Sequence, residues 1–433
     1  MALDALLLNK GRDLLNGFLY FYIGLFVFIL VLGLCFPIAV ARYASLFPTA
    51  QLVAQRSLIV WGIVLFGLQI ITYYLTSILE MYRRFTAALF SPLNALLPLI
   101  CLGIWGKQVG IITLVYGFVA ANVLQIIVFF WALKKELKWK FTQGLLFPSR
   151  VFIHNLLSNQ LMELVNIING WLPLYLLSGL AAGLVSAVNY AKQLTESATE
   201  VFSLRVTNVA KIELTEHFAH QRANAFNETY LTTHRLLCIF LTPLCVFSVF
   251  YAPEIITIFF KRGIFNTQNV YQASSFLRPL LGVMLLMVPV LMQNNAVAAA
   301  RKLKDFLPYA LSSMLLFIAI VPLTMRWWGP FAFPYTQVVC ILIGLGINSV
   351  FFKRYIPDVA IGKSLWQLVR LLAYNVAALL PTALFTKYIS GTNPWIMIGT
   401  GGPVFLAVLW GCFYYSGDLQ WLKNHFNPRA PLP

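Results

Sequence analysis

Twelve long apolar stretches dominate this chain, at about 17–40, 57–79, 85–105, 109–133, 151–177, 184–210, 232–250, 270–299, 305–325, 331–352, 364–386 and 394–415, each bounded by charged or turn-forming residues. About 20 apolar residues suffice for a helix to cross the hydrocarbon of a bilayer. Within hydrocarbon every backbone N–H and C=O must find a partner in the protein, which leaves helices and closed barrels as the spanning structures. Stretches of this length predict helices, so the expected fold is an all-α polytopic membrane protein of about twelve transmembrane helices. Composition agrees: 60% of the 433 residues are hydrophobic, and 31 basic plus 14 acidic side chains are too few to cover a water-facing surface. A soluble globular protein and a soluble catalytic module are both excluded.

The net charge of +17 does not point to nucleic acid, because the basic residues punctuate apolar stretches instead of gathering on one wetted face. They act as topology signals. With both termini in the cytosol, inside loops hold twenty Lys and Arg residues, among them Arg83, Arg84, Lys134, Lys135, Lys138 and Lys140, and outside loops hold seven. Positive charge favours the cytosolic side, so both termini are expected there. The first apolar run, after Lys10, Arg12 and Asp13, lacks a small-residue cleavage site and reads as a retained helix. Six dispersed cysteines read as small hydrophobes.

Four cations remain inside the apolar stretches: Lys192, Arg205, Arg278 and Arg370. A cation in hydrocarbon is costly unless it faces water or a partner. Arg205 and Arg370 lie toward cytosolic helix ends, where long side chains snorkel to the interface. Lys192 and Arg278 are each eight residues inside their stretch, about 12 Å deep at 1.5 Å per residue. Around Lys192 the charges at Lys192, Glu196 and Glu200 recur every fourth residue, with Asn189, Gln193, Thr195 and Ser197 beside them. Such a stripe predicts the wall of a hydrated cavity. Lys192 and Glu196 pairing along the helix, or stapling it to a neighbour, is the simpler structural role. The stretch at 151–177 adds His154, Asn155, Asn159, Gln160, Glu163, Asn166 and Asn169, and that at 270–299 adds Gln293, Asn294 and Asn295. Three polar-faced helices are thus expected to converge. Pro92, Pro98, Pro173, Pro243, Pro279 and Pro289 supply places to bend. No phosphate-binding Gly-rich Lys loop, paired His ligands or wet carboxylate cluster is present. Neither an enzyme nor a bound cofactor or metal is expected, and energy must come from an ion gradient, the membrane potential or the substrate gradient.

Several local patterns resemble one known family. Arg262-Gly263-Ile264-Phe265 follows the seventh stretch, and Ser178 through Leu194 contains the steps Ser186-Ala187 and Tyr190-Ala191. Arg84-Phe85 precedes Pro92 and Asn94, and Gln125 comes late in the fourth stretch. In order and spacing these resemble the MviN-type lipid II flippases of the multidrug/oligosaccharidyl-lipid/polysaccharide exporter superfamily. The resemblance implies two pseudo-symmetric helical lobes around a central cavity, followed by a helix pair with a groove for a lipid tail. On that template residues 1–150 form an incomplete first lobe of four helices, 151–352 a second lobe of six, and 353–433 the C-terminal pair with a short cytosolic tail. The family's first hairpin, with several cavity arginines, has no counterpart, so a second chain or a dimer is expected to complete the first lobe. Where the family has Tyr-Ala-Asp-Arg, this chain has Tyr190-Ala191-Lys192-Gln193, which moves the cation by one residue and turns it about 100° around the helix.

The function so implied is a flippase of the bacterial inner membrane. It moves an undecaprenyl-pyrophosphate-linked, lipid II-like peptidoglycan precursor between leaflets by alternating access, in service of cell-wall biogenesis and cell shape. Lys192 and Arg278 are the candidates for the pyrophosphate, since anionic oxygens in a low-dielectric cavity need fixed cations. Asn189 and Gln193 flank them, Glu196 and Glu200 are candidates for a coupling ion, and Arg83 and Arg84 for gathering the head group at the cytosolic mouth. Two rivals stand beside this reading: a multidrug-type, cation-coupled extruder, whose cavity should display carboxylates without competing bases, and a degenerate, non-transporting scaffold of an envelope complex.

Overall fold

The computed structural model describes residues 2–82, 89–90, 92–136, 139–141, 150–181, 183–200, 203, 205–389 and 393–425. Among the described residues almost all are helical and none is in a strand, the outcome that backbone saturation in lipid demands. The chain divides into two compact units, Met1–Leu157 and Ser158–Pro433.

The first unit contains α1 (Ala2–Cys35), α2 (Pro37–Ala44), α3 (Thr49–Ala54), α4 (Arg56–Met81), α5 (Leu93–Val109), α6 (Ile112–Glu136) and the start of α7 (Arg150–Ser178). Helix α4 packs on α1 and α6, and α6 also packs on α5. The α5–α6 approach is close because position 117 is glycine: any Cβ there would run into the backbone of Pro98. Amides strengthen the same seam. Asn94 donates to Gln125 (3.4 Å), Asn122 to Asn94 (3.4 Å), and Gln125 to the Phe90 carbonyl (2.8 Å) just before the Pro92 break. At the other end Trp139 donates to Asn16 (2.7 Å), which donates to the Lys140 carbonyl (2.9 Å), so the segment after α6 is fixed to α1.

The second unit holds the rest of α7, then α8 (Leu184–Thr199), α9 (Arg205–Ala219), α10 (Ala223–Phe250), α11 (Ala252–Phe260), α12 (Thr267–Ala299), α13 (Leu303–Trp328), α14 (Ala332–Tyr355), α15 (Ile361–Ile389), α16 (Pro394–Tyr415) and α17 (Asp418–His425). Helix α12 is the hub and packs against α8, α9, α10, α11 and α14. Its sequence explains why: Ala273, Phe276, Leu280, Met284, Val288, Met292 and Ala296 are all buried, and an apolar surface this wide has to be covered by several neighbours. Helix α8 meets it through Leu184, Ala187, Val188, Ala191 and Thr195, a buried face built largely from small residues.

Nine described helices are long and apolar enough to cross a membrane: α1, α4, α6, α10 and α12 through α16. The other three expected crossings fall on α5, α7 and α8. Helix α5 is apolar but has only 17 residues, while α7 and α8 carry the polar stripes, and those side chains lower their hydropathy. In the stretch expected as one helix over 184–210, α8 ends at Thr199, Glu200 and Ser203 are wound as wider π-helical turns, and α9 starts at Arg205. Thr195 bonds back to the Lys192 carbonyl (2.9 Å) and Thr199 to the Thr195 carbonyl (2.8 Å). Such back-bonding competes with the backbone ladder and loosens a helix.

Arg370 of α15, expected to snorkel to water, is instead bound to protein. Asp418, fully buried at the head of α17, accepts hydrogen bonds from Arg370 (2.9 and 3.2 Å), from Arg235 Nε of α10 (3.0 Å) and from Ser416 (2.6 Å). Trp421 lies over the Arg235 guanidinium at 4.3 Å. One carboxylate on the last described helix thus ties together two long ones, at Arg235 midway along α10 and at Arg370 in the first half of α15.

Candidate functional site

The second unit encloses a cavity of about 730 Å³, within the range of small-molecule sites. Five helices line it. Helix α7 contributes Asn166, Asn169, Gly170 and Pro173, whose spacing is one helical stripe, and α8 with its cap contributes Lys192, Thr195, Glu196, Thr199 and Glu200. The polar part of α12 is represented by Asn294, and its apolar part by Leu280, Met284 and Met287. Helices α13 and α14 complete the wall with Phe306, Ser313, Phe317, Phe333, Gln337, Gly344 and Asn348. The three polar-faced segments picked out in the sequence therefore do converge on one space.

The placement of α8 follows from its sequence. It starts on Gly183, whose φ of 88° is left-handed, a conformation that glycine adopts without the Cβ clash other residues suffer. From there the small face of Ala187 and Ala191 lies on α12, and the residues one position further round, Lys192 and Glu196, turn to the cavity. The Arg-Gly-Ile-Phe segment holds the other side of the same helix. Its Phe265 and the preceding Phe260 pack on the Tyr190 ring, at centroid distances of 5.3 and 4.7 Å. Gly263 makes the turn with φ 59°, and Ile264 is left 99% exposed.

Of the expected site residues, Lys192, Glu196 and Glu200 line the cavity together. Asn189, Gln193 and Arg278 are exposed on their helices and are not among its lining residues. Arg83 and Arg84 lie outside the described residues, as do the side chains of His154, Asn155 and Asn159. The lining carries one ammonium and two carboxylates. The ammonium offers three donors to anionic oxygens. The carboxylates accept from hydroxyls, or hold a proton or small cation. Amides, aromatic rings and aliphatic side chains supply most of the remaining surface.

Three polar contributors on α13 and α14, Ser313, Gln337 and Asn348, were not singled out from sequence. Each adjoins a second polar residue, Ser312, Thr336 or Ser349, in an otherwise apolar stretch of helix, and that short polar step was the available signal. Asn348 donates to Gln293 of α12 at 2.9 Å.

A family model describing the lipid II flippase MurJ matches residues 8–399. A protein of Bdellovibrio bacteriovorus described as "Probable lipid II flippase MurJ" is 24% identical over 255 residues, which cover 57% of this chain and 47% of that relative. The chain thus matches about half the length of that relative. A solved structure of a lipid II flippase MurJ in an inward closed conformation superposes with a TM-score of 0.74 at 18% identity, covering 95% of this chain and 85% of the other. At that identity the likeness is one of fold.

Proposed function

The chain belongs to the lipid II flippase MurJ family, and from that premise we propose that it carries a lipid-linked peptidoglycan precursor across the bacterial inner membrane. The observation that carries this reading is the cavity of the second unit, in which Lys192 faces a space of about 730 Å³ lined by amides. In the mechanism we propose, the sugar-pyrophosphate head leaves the cytosolic leaflet and enters the polar interior while the prenyl tail stays in lipid beside α15 and α16. The Lys192 ammonium holds a pyrophosphate oxygen. Arg278 meets the anion elsewhere on its path. Asn189 and Gln193 flank that path, and Arg83 and Arg84 gather the head group at the cytosolic mouth. Glu196, one turn from Lys192, takes up the positive field when the anion leaves, so the ammonium is never stranded. No bond is made or broken.

In this reading both termini are cytosolic, residues 1–150 are the first lobe, 151–352 the second, and 353–433 the pair that accommodates the tail. The test is a strain depleted of its native flippase, complemented with this chain or its Lys192→Ala/Arg278→Ala variant and assayed for precursor head groups at the outer leaflet. We expect exposure with the unaltered chain and at least a tenfold loss with the variant at equal membrane abundance. Normal exposure with the variant would reject the two cations as the anion site.

The rival reading, cation-coupled export, draws on Glu196 and Glu200 in the lining and is opposed by Lys192, a base in the same lining. That reading requires Glu196→Gln/Glu200→Gln to sensitise cells to cationic drugs while precursor exposure stays normal.

A further inference from the structure

Gln293 on α12 is fully buried and Asn348 on α14 is 6% exposed. Their two amides share one hydrogen bond, from Asn348 Nδ2 to Gln293 Oε1. That bond uses one donor and one acceptor. Gln293 Nε2 and Asn348 Oδ1 are left buried with no partner in the protein. The nitrogen and oxygen of a side-chain amide exchange places on a flip, but flipping both leaves the same remainder of one N–H donor and one carbonyl acceptor. Asn348 lines the cavity, and so does Asn169 of α7, whose Oδ1 is also buried and unpartnered. None of these groups is charged.

Buried polar groups are normally satisfied, so a set left open beside a cavity marks what a ligand brings. A carboxylate would satisfy the free N–H but face the free carbonyl unpaired, and an ammonium would do the reverse. A secondary amide satisfies both at once. We propose that Gln293, Asn348 and Asn169 form a subsite for a neutral secondary amide, either the acetamido group of an amino sugar or a peptide bond. Gln293 lies behind Asn348 and does not itself line the cavity, so it acts by holding Asn348: with both amides flipped, the Asn348 NH2 donates to the ligand carbonyl, and Asn169 Oδ1 accepts from the ligand N–H. This inference rests on the carrier reading of the cavity and assigns the part of the head group away from the anion. It also gives the second unit a role in selectivity, because a site built to hydrogen-bond an amide rejects the analogue without one.

The test uses the full chain in lipid nanodiscs and three probes: the undecaprenyl-pyrophosphate-linked disaccharide peptide, the same molecule with its acetamido groups hydrolysed to amines, and the same molecule without its peptide. The unaltered chain is expected to bind the first probe at least tenfold more tightly than one of the other two, and whichever falls identifies the amide. Gln293→Leu/Asn348→Leu, which replaces both partners by apolar groups of similar size and so leaves neither member of the pair buried and unpaired, is expected to bind all three equally. Asn169→Leu, at a half-exposed position, supplies a second variant should the first not fold, with the preference reduced several-fold. A full preference surviving in the variants, or no preference in the unaltered chain, overturns the subsite. Should the unaltered chain bind none of the lipid-linked probes, the carrier reading fails instead. The subsite is then decided by di-N-acetylchitobiose against its de-acetylated form, where the same tenfold ratio supports it and its absence overturns it.

Discussion

Single residues decide how the polar helix of the second unit is presented. Gly183 is left-handed, and a Cβ built on it would meet nothing within 4 Å, so substitution there acts through backbone strain alone. Gly183→Ala is expected to cost about 1–2 kcal/mol, the penalty of a left-handed conformation for an L-residue. Gly183→Asn should cost less and Gly183→Val more, because asparagine tolerates this region and β-branched residues do not. Thermal unfolding in detergent should rank the three in that order; equal midpoints would remove the strain argument. Lys192 was legible in the sequence because charges every fourth residue in an apolar stretch fall on one face of a helix by periodicity alone. The Gln293–Asn348 pair was not. Its members are 55 positions apart on different helices, and neither has a local pattern that points to the other.

Among elements, the last helix has an effect out of proportion to its eight residues. Asp418 holds Arg235 and Arg370 at once. Removing a buried carboxylate from two guanidiniums leaves like charges side by side, a loss of roughly 3 kcal/mol, at the lower end of such effects because the arginine side chains are 18% and 31% exposed. Asp418→Asn should therefore lower the unfolding midpoint and raise hydrogen exchange around Arg235 of α10 and Arg370 of α15, with α13 and α14 unaffected. Unchanged exchange would show that the ion pairs are dispensable. This contact could not be read from sequence: a short polar helix after the last apolar stretch looks like a solvated tail, and Arg370 by itself looks like a snorkelling anchor. The long helices were readable, because length and apolarity act locally. Their local winding was not: beyond Thr199 the described residues Glu200 and Ser203 are wound as π-helical turns, which no apolar periodicity announces.

For the whole molecule, the orientation proposed from the asymmetry of Lys and Arg, with both termini cytosolic, can be checked by labelling. In a cysteine-free background, Ile264→Cys, at a position that is 99% exposed, should react with a membrane-impermeant maleimide from the outer face of intact cells. Lys135→Cys, which follows α6 residues that are buried up to Leu133, should react only after lysis. Reversed labelling would overturn the assignment of both termini to the cytosol. The family fold was legible from the order of weak local motifs, of which Gln125 sits where α5 and α6 approach and Arg262 to Phe265 where the chain turns ahead of α12. The walls of the cavity were legible only in part: the sequence indicates which helices are polar, and tertiary packing decides which polar groups share a space.

The hub position of α12 also bears on how the chain is made. Helix α8 has too little apolar surface to partition into lipid unaided, and the helix that covers its small face begins only after residues 200–266 have been synthesised. At bacterial elongation speeds that interval is on the order of several seconds. During it the nascent α8 lacks the surface that covers its small face, and the polar wall of the cavity is completed only when that later partner arrives.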